Sequence, residues 1–70
     1  MQIILKENTT YQIKRSETNM TVHKILREDD IKIVFFGTHR DKLGSFISCM
    51  EYHLNKEDFQ HWEESGKERN

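Results

Sequence analysis

Apolar and polar residues alternate through much of the first half of the chain, which is the pattern of β-strands with one buried face. A β-rich run at 2–6, a turn signal at 8–10 and an alternating run at 11–15 predict a hairpin. A loop-like segment at 16–20 follows. Residues 21–27 then alternate again and predict a third strand.

The segment 31–36, Ile-Lys-Ile-Val-Phe-Phe, has the strongest strand pattern because it is apolar on both faces. Its alternate residues from Ile31 share one face, and Val34 and Phe36 share the other. A strand of this kind is usually central in its sheet or covered on both sides. We expect Gly37 to end it.

Residues 43–54 fit two patterns. As a helix, they place apolar residues along one stripe from Leu43 to Leu54. As a strand, they place mostly apolar residues at alternate positions from Phe46 to Leu54. Gly44 and the Ser and Cys residues of this segment favour helices weakly. The strand is therefore favoured, and the helix stays as the alternative.

The segment 56–65 predicts an α-helix. Asn55 is a good N-cap, and Leu54 with Phe59 forms the hydrophobic staple that often precedes a helix. Acidic residues occupy the first turn, where the helix dipole favours negative charge. Phe59 and Trp62 are three residues apart, so they share the face that would pack on the sheet.

These elements predict an α+β fold. Its sheet is a small antiparallel meander of four to five strands, with one C-terminal α-helix packed on one face. Residues 1–66 form a single domain in this interpretation, and residues 67–70 form a disordered tail.

Composition limits the classes of function that are open to the chain. It has 70 residues, a net charge of −1 and one cysteine, Cys49. A chain of this length is a single domain at most, and one cysteine excludes an internal disulfide framework. No apolar run approaches the ~18 residues that a membrane span requires, and the first residues lack the pattern of a signal peptide. We therefore expect a cytoplasmic protein without membrane contact.

Residue usage indicates an origin. The chain has no Ala and no Pro and is rich in Ile, Lys and Asn, whose codons are rich in A and T. This bias is typical of low-GC bacteria and their phages. We expect a phage or mobile-element accessory protein that binds and modulates a host protein.

The His and Cys residues suggest metal or thiol chemistry but do not support it. Cys49 and His53 are four residues apart, yet the chain has no CxxC, HxxxH or HExxH motif. A nucleophilic Cys49 paired with His53 or His61 would need a cleft and an oxyanion hole, for which so small a sheet has little room. We expect no cofactor, no metal and no catalysis, with Cys49 buried in a structural role.

A nucleic-acid-binding regulator is the alternative function. Single-strand binders combine basic residues with aromatic side chains on a sheet. The basic residues available for this role are Lys14, Arg15, Lys32, Arg40 and Lys42. The net charge of −1 opposes phosphate binding, which depends mainly on clustered Lys and Arg.

The favoured function is a non-catalytic interaction with a host protein or with a second copy of the chain. One short helix cannot cover both faces of the predicted sheet, and exposed contiguous apolar surface usually marks an interaction site. The apolar residues assigned to this surface are Ile25, Val34 and Phe36. The polar residues assigned to its rim are His39, Arg40 and Lys42.

Overall fold

The fold is a single antiparallel sheet of five strands. Its structure, a computed structural model, describes residues 4–65. The strands are β1 (Thr9–Ile13), β2 (Thr18–Glu28), β3 (Lys32–Arg40), β4 (Phe46–Asn55) and β5 (Trp62–Glu64), with a 3-10 helix (Lys56–His61) between β4 and β5. The strands lie side by side in the order β4-β3-β2-β1-β5. The meander therefore continues through β4, and the last strand returns to pair with β1.

The core lies on one face of this sheet, called the inner face here. Its buried hydrophobic residues are Leu5, Tyr11, Met20, Val22, Ile33, Phe35 and Leu54. The ring of Phe35 is fully buried; it stacks on Tyr52 with ring centres 5.8 Å apart and meets the edge of Trp62 at 6.1 Å. This aromatic contact joins the middle of the sheet to its last strand.

Two irregularities in β2 change which side chains face inward. The register with β3 shifts between Val22 and Lys24 and again between Ile25 and Arg27. Each shift is typical of a β-bulge, in which one extra residue interrupts the alternation. As a result Ile25 lies opposite Phe35 and packs against the core.

Strand β3 does not end at Gly37, as the sequence suggested, but runs on to Arg40. Gly37 is needed because the backbones approach closely there. A Cβ atom at this position would lie 2.5 Å from the carbonyl oxygen of Thr21 and 2.9 Å from the Phe35 ring. The glycine therefore continues the strand where a side chain would clash.

The predicted C-terminal α-helix is wrong, and with it the α+β class. Residues 56–61 form only a 3-10 helix, and the next three residues form β5. The side chain of Asn55 makes no capping hydrogen bond. The segment 43–54, in contrast, is the strand that the sequence favoured, with β4 covering most of it.

The edge of β1 explains why the helix does not form. The Lys14 N–H donates to the carbonyl oxygen of His61 at 2.8 Å, and the Ser65 N–H donates to that of Thr10 at 2.9 Å. These bonds satisfy backbone groups that an α-helix would otherwise pair internally. Phe59 and Trp62 stay together without an α-helix, because the Trp62 N–H donates to the carbonyl oxygen of Phe59 at the end of the 3-10 helix and their ring centres are 6.0 Å apart. Tertiary pairing therefore overrides the helix propensity of this segment.

The predicted first strand at 2–6 is also not observed where the structure describes it. Residues 4–6 lie outside any strand, and the predictions for residues 2–3, 66 and 67–70 fall outside the described part of the chain. Leu5 nevertheless enters the core, and the Lys6 N–H donates to the Tyr11 hydroxyl at 3.0 Å. The Lys6 ammonium bonds to Glu64, which raises the pKa of Lys6 above its usual value.

The turn between β2 and β3 is closed by a carboxylate. Asp29 accepts hydrogen bonds from the N–H groups of Ile31 and Lys32, both at 2.9 Å. These two bonds favour the charged carboxylate, so the pKa of Asp29 lies below its usual value. Within residues 4–65, no helix has the length and apolar character to cross a membrane.

Candidate protein-interaction surface

Exposed hydrophobic residues collect on β4 and on the loop before it. They are Leu43, Phe46, Ile47 and Met50, which we call the β4 patch. Leu43 is 86% exposed and Phe46 is 61% exposed. Met50 lies opposite Gly37 on the core side, and the shift in register beside Arg40 puts Phe46 on the other face, so the β4 patch follows this edge of the sheet on both of its faces. Exposed apolar residues along a sheet edge suit contact with another chain.

The loop that carries Leu43 is held by hydrogen bonds. The Asp41 carboxylate accepts hydrogen bonds from the N–H groups of Leu43 at 2.9 Å and Ser45 at 2.8 Å. The Asp41 N–H also donates to the carbonyl oxygen of Ser45, and Gly44 takes a positive φ of 94° to complete the turn. The exposure of Leu43 is therefore set by a hydrogen-bonded loop.

Neighbouring residues leave the rest of the β4 patch uncovered. Met50 lies opposite Gly37, which offers no side chain to pack against, and Met50 is 52% exposed. The register with β3 shifts between His39 and Arg40, which leaves Ile47 as the extra residue of a β-bulge between Phe46 and Ser48. The patch thus results from a glycine and a bulge at one end of the β3–β4 pair.

One edge of β4 has unpaired backbone groups. Among the described residues, β4 pairs with β3 only and ends the sheet. The Lys56 N–H donates to the carbonyl oxygen of Ile31 at 2.8 Å, which identifies this pair as a hydrogen-bonded one. Because such pairs alternate in antiparallel sheets, the backbone groups of Cys49, Glu51 and His53 point away from β3.

The two edges of the sheet differ in their protection. Strand β5 has three residues, two of which are Glu63 and Glu64, and short charged edge strands resist pairing with other chains. Strand β4 has ten residues and a single formal charge, Glu51. It contains neither the Lys nor the Pro that commonly protects an edge. The edge of β4 is therefore the one suited to accept another strand.

The outer face of the sheet, opposite the core, is less accessible than the sequence suggested. Val34 lies between Arg27 and His53 in the register and is only 1% exposed. Glu51 bridges these neighbours: its carboxylate lies 3.5 Å from the Arg27 guanidinium and 3.3 Å from Nε2 of His53. Phe36 is 41% exposed beside the His23 ring, whose centre is 5.8 Å away.

The structure does not bring the six predicted partner-binding residues together. Ile25 packs against the core, and Val34 is buried on the other face. His39 is half-buried, and its Nε2 lies 2.9 Å from the Thr18 hydroxyl. Phe36, Arg40 and Lys42 are exposed. The sequence missed the β4 patch because segment 43–54 was not placed at an edge, although its single charge was a visible signal.

The basic residues of the alternative function divide between two ends of the sheet. Lys14 and Arg15 lie in the β1–β2 turn. The Asn19 side chain donates to the carbonyl oxygen of Asp41 at 3.3 Å, which brings this end of the sheet close to Arg40 and Lys42. Lys32 lies at the opposite end, where it pairs with Asn55. The Lys42 ammonium is 3.3 Å from the Glu17 carboxylate. Only part of the predicted basic set therefore shares one surface.

Cys49 is exposed, so the expectation of a buried cysteine is wrong. Its sulfur accepts a hydrogen bond from the Thr38 hydroxyl at 3.3 Å, and that hydroxyl lies 2.7 Å from Nε2 of His23. Cys49 and His53 are on the same side of β4 with Glu51 between them. Among residues 4–65, no three His, Cys, Asp or Glu side chains are placed to hold a metal ion.

A depression of about 430 Å³ lies between the β2–β3 turn and the 3-10 helix. It is lined by Asp30, Ile31, Asn55, Lys56 and Glu57. Neither Cys49 nor any histidine is among the residues that line it.

Comparisons with protein-family models, with curated proteins and with solved structures find no match for this chain. Its function is therefore argued from its own residues.

Proposed function

We propose that this chain is a non-catalytic protein-interaction module that binds an apolar β-strand of another protein molecule along the free edge of β4. The contrast between the two sheet edges carries this proposal. Strand β5 is short and acidic, whereas β4 is long, carries one charge and adjoins the β4 patch. Main-chain hydrogen bonds supply affinity in strand addition, and contacts with side chains supply specificity.

The hydrogen bonds that hold the loop before β4 support a functional interpretation of the β4 patch. Asp41 fixes this loop through several hydrogen bonds while Leu43 stays 86% exposed. The partner is a host protein or a second copy of the chain. The residue usage, without Ala or Pro and rich in Ile and Lys, favours an accessory protein of a phage or mobile element.

Affinity capture from a low-GC bacterial lysate tests the proposal with three forms of the chain. Ile47→Lys places a charge on the β4 edge, where Ile47 is 48% exposed. Leu26→Lys is the matched control, because it places the same charge on a 41% exposed residue of β2, two strands away from that edge. We expect wild type and Leu26→Lys to retain the same protein and Ile47→Lys to lose it. Nuclease treatment leaves that retention unchanged.

Two results would contradict the proposal. One is equal retention by Ile47→Lys, with far-ultraviolet circular dichroism showing that all three forms are folded. The other is recovery of nucleic acid together with proteins that nuclease releases. A labelled single-stranded oligonucleotide makes the second test direct: binding that weakens steeply with salt would favour the basic residues near Arg40 and Lys42.

A further inference from the structure

We infer that the strand accepted by β4 is β4 of a second copy, so that two chains form a symmetric dimer with one continuous antiparallel sheet. This inference rests on the proposed function and names its partner. It follows from the direction of the unpaired backbone groups, from the charge pattern of β4, and from the placement of the β4 patch.

The unpaired backbone groups fix which residues can bond across the dimer. Cys49, Glu51 and His53 direct their N–H and C=O groups away from β3. In a two-fold antiparallel pair of identical strands, residues that face each other must project from the same face of the sheet. Because alternate residues of a strand share a face, residues that lie opposite each other are an even number of positions apart in the sequence. The two-fold axis therefore passes between the two copies of the residue that lies halfway between them.

Like charges select that residue. The middle of β4 falls between Met50 and Glu51. An axis at Glu51 places its carboxylate opposite the same carboxylate of the second copy, and like charges directly opposite are destabilising. An axis at Met50 places Met50 opposite Met50 and pairs Glu51 with the neutral Cys49 of the second copy. The second register moves the two carboxylates to diagonal positions, which weakens their repulsion, and it keeps nearly the full length of the strand.

The same register also covers the exposed end of β4. It places Ile47 opposite His53 of the second copy and brings together the two Met50 side chains, each 52% exposed in the single chain. The bulge near Phe46 interrupts regular pairing there, so the regular part of the new ladder is centred on Met50. Each copy then adds Met50 and Ile47 of its β4 patch to the contact. The dimer thereby covers an edge that has few charges of its own.

Cysteine cross-linking tests the register, with Cys49→Ser as the background. Met50→Cys places two thiols at a pair without cross-strand hydrogen bonds, where Cα atoms lie about 4.5 Å apart, within the range of disulfides. We expect this variant to give a disulfide-linked dimer on mild oxidation. Glu51→Cys tests the other register, and His53→Cys is an exposed control that the axis places far from its symmetry mate. Neither is expected to cross-link.

Sedimentation velocity of the full-length chain tests the dimer itself. We expect wild type and Leu26→Lys to shift from monomer to dimer as concentration rises, and Ile47→Lys to stay monomeric. A wild-type chain that is monomeric at every concentration overturns the inference. Preferential cross-linking of Glu51→Cys overturns the register. If the chain is monomeric but Ile47→Lys still loses a lysate protein that wild type retains, the dimer is wrong and the proposed function stands. If the chain is monomeric and Ile47→Lys retains the same proteins as wild type, both the dimer and the proposed function are wrong.

Discussion

Replacing Gly37 by alanine tests the close packing on which the sheet depends. Gly37 lies in β3 between Val22 of β2 and Met50 of β4. An added Cβ would be 2.5 Å from the Thr21 carbonyl oxygen and 2.9 Å from the Phe35 ring. The carbonyl belongs to the backbone of the paired strand, so it cannot rotate away as a flexible side chain would.

Two opposing effects decide the sign of the change. Alanine restricts the unfolded chain, which stabilises a protein by about 0.4–1 kcal/mol where the backbone accepts it. Overpacking of a close-packed region costs about 1–3 kcal/mol. The clash involves backbone and a fully buried ring, so the second effect is the larger, and we expect a net loss of about 1–2 kcal/mol. A small domain draws only about 3–5 kcal/mol from its core, so this loss is a large share of its stability.

Urea unfolding followed by Trp62 fluorescence measures the effect. With a slope of about 1 kcal/mol per molar urea, the midpoint of Gly37→Ala should fall by about 1–2 M. Gly44→Asn is the control, because nothing lies within 4 Å of a Cβ at Gly44 and Asn tolerates a positive φ. We expect that variant to stay within about 0.5 kcal/mol of wild type. A midpoint for Gly37→Ala at or above that of wild type would refute the close approach.

Two further predictions concern stability. Trp62→Ala should destabilise the chain by about 3 kcal/mol, because Trp62 packs against Phe35 and Tyr11; an unchanged thermal midpoint would show that β5 does not dock as described. The lowered pKa of Asp29 means that its contribution is present above the usual value of 3.8 and is lost as the pH falls through the lowered folded pKa. Urea midpoints of wild type and Asp29→Asn should therefore converge on acidification, and a constant difference between them would contradict this.

The sequence predicted those strands whose signal is local. The apolar segment around Val34 and Phe36 is β3, and the favoured strand at 43–54 is β4. Gly37 was expected to end a strand because a glycine in a strand lowers its propensity. Its actual role depends on the Thr21 backbone, which alternation along one strand does not show.

The predictions of the C-terminal helix and of the orientation of Ile25 were wrong for a related reason. Asn55, Phe59 and Trp62 satisfy helix rules locally, but the edge of β1 offers hydrogen bonds that only the assembled sheet provides. Ile25 was assigned to the outer face by simple alternation, and bulges in β2 reverse that assignment. The β4 edge emerges only from the strand order, since a sequence does not show which strand has one neighbour.

Residue-resolved amide hydrogen exchange along β4 tests the central claim most directly. In dilute solution, the N–H groups of Cys49, Glu51 and His53 should exchange rapidly, while those of Met50 and Tyr52, which point toward β3, should be protected. As the concentration of the chain rises and another strand pairs with this edge, we predict that the N–H groups of Cys49, Glu51 and His53 also become protected from exchange. Rapid exchange of Cys49, Glu51 and His53 both at high concentration and in the presence of the protein captured from lysate would contradict the claim that the β4 edge is the binding site.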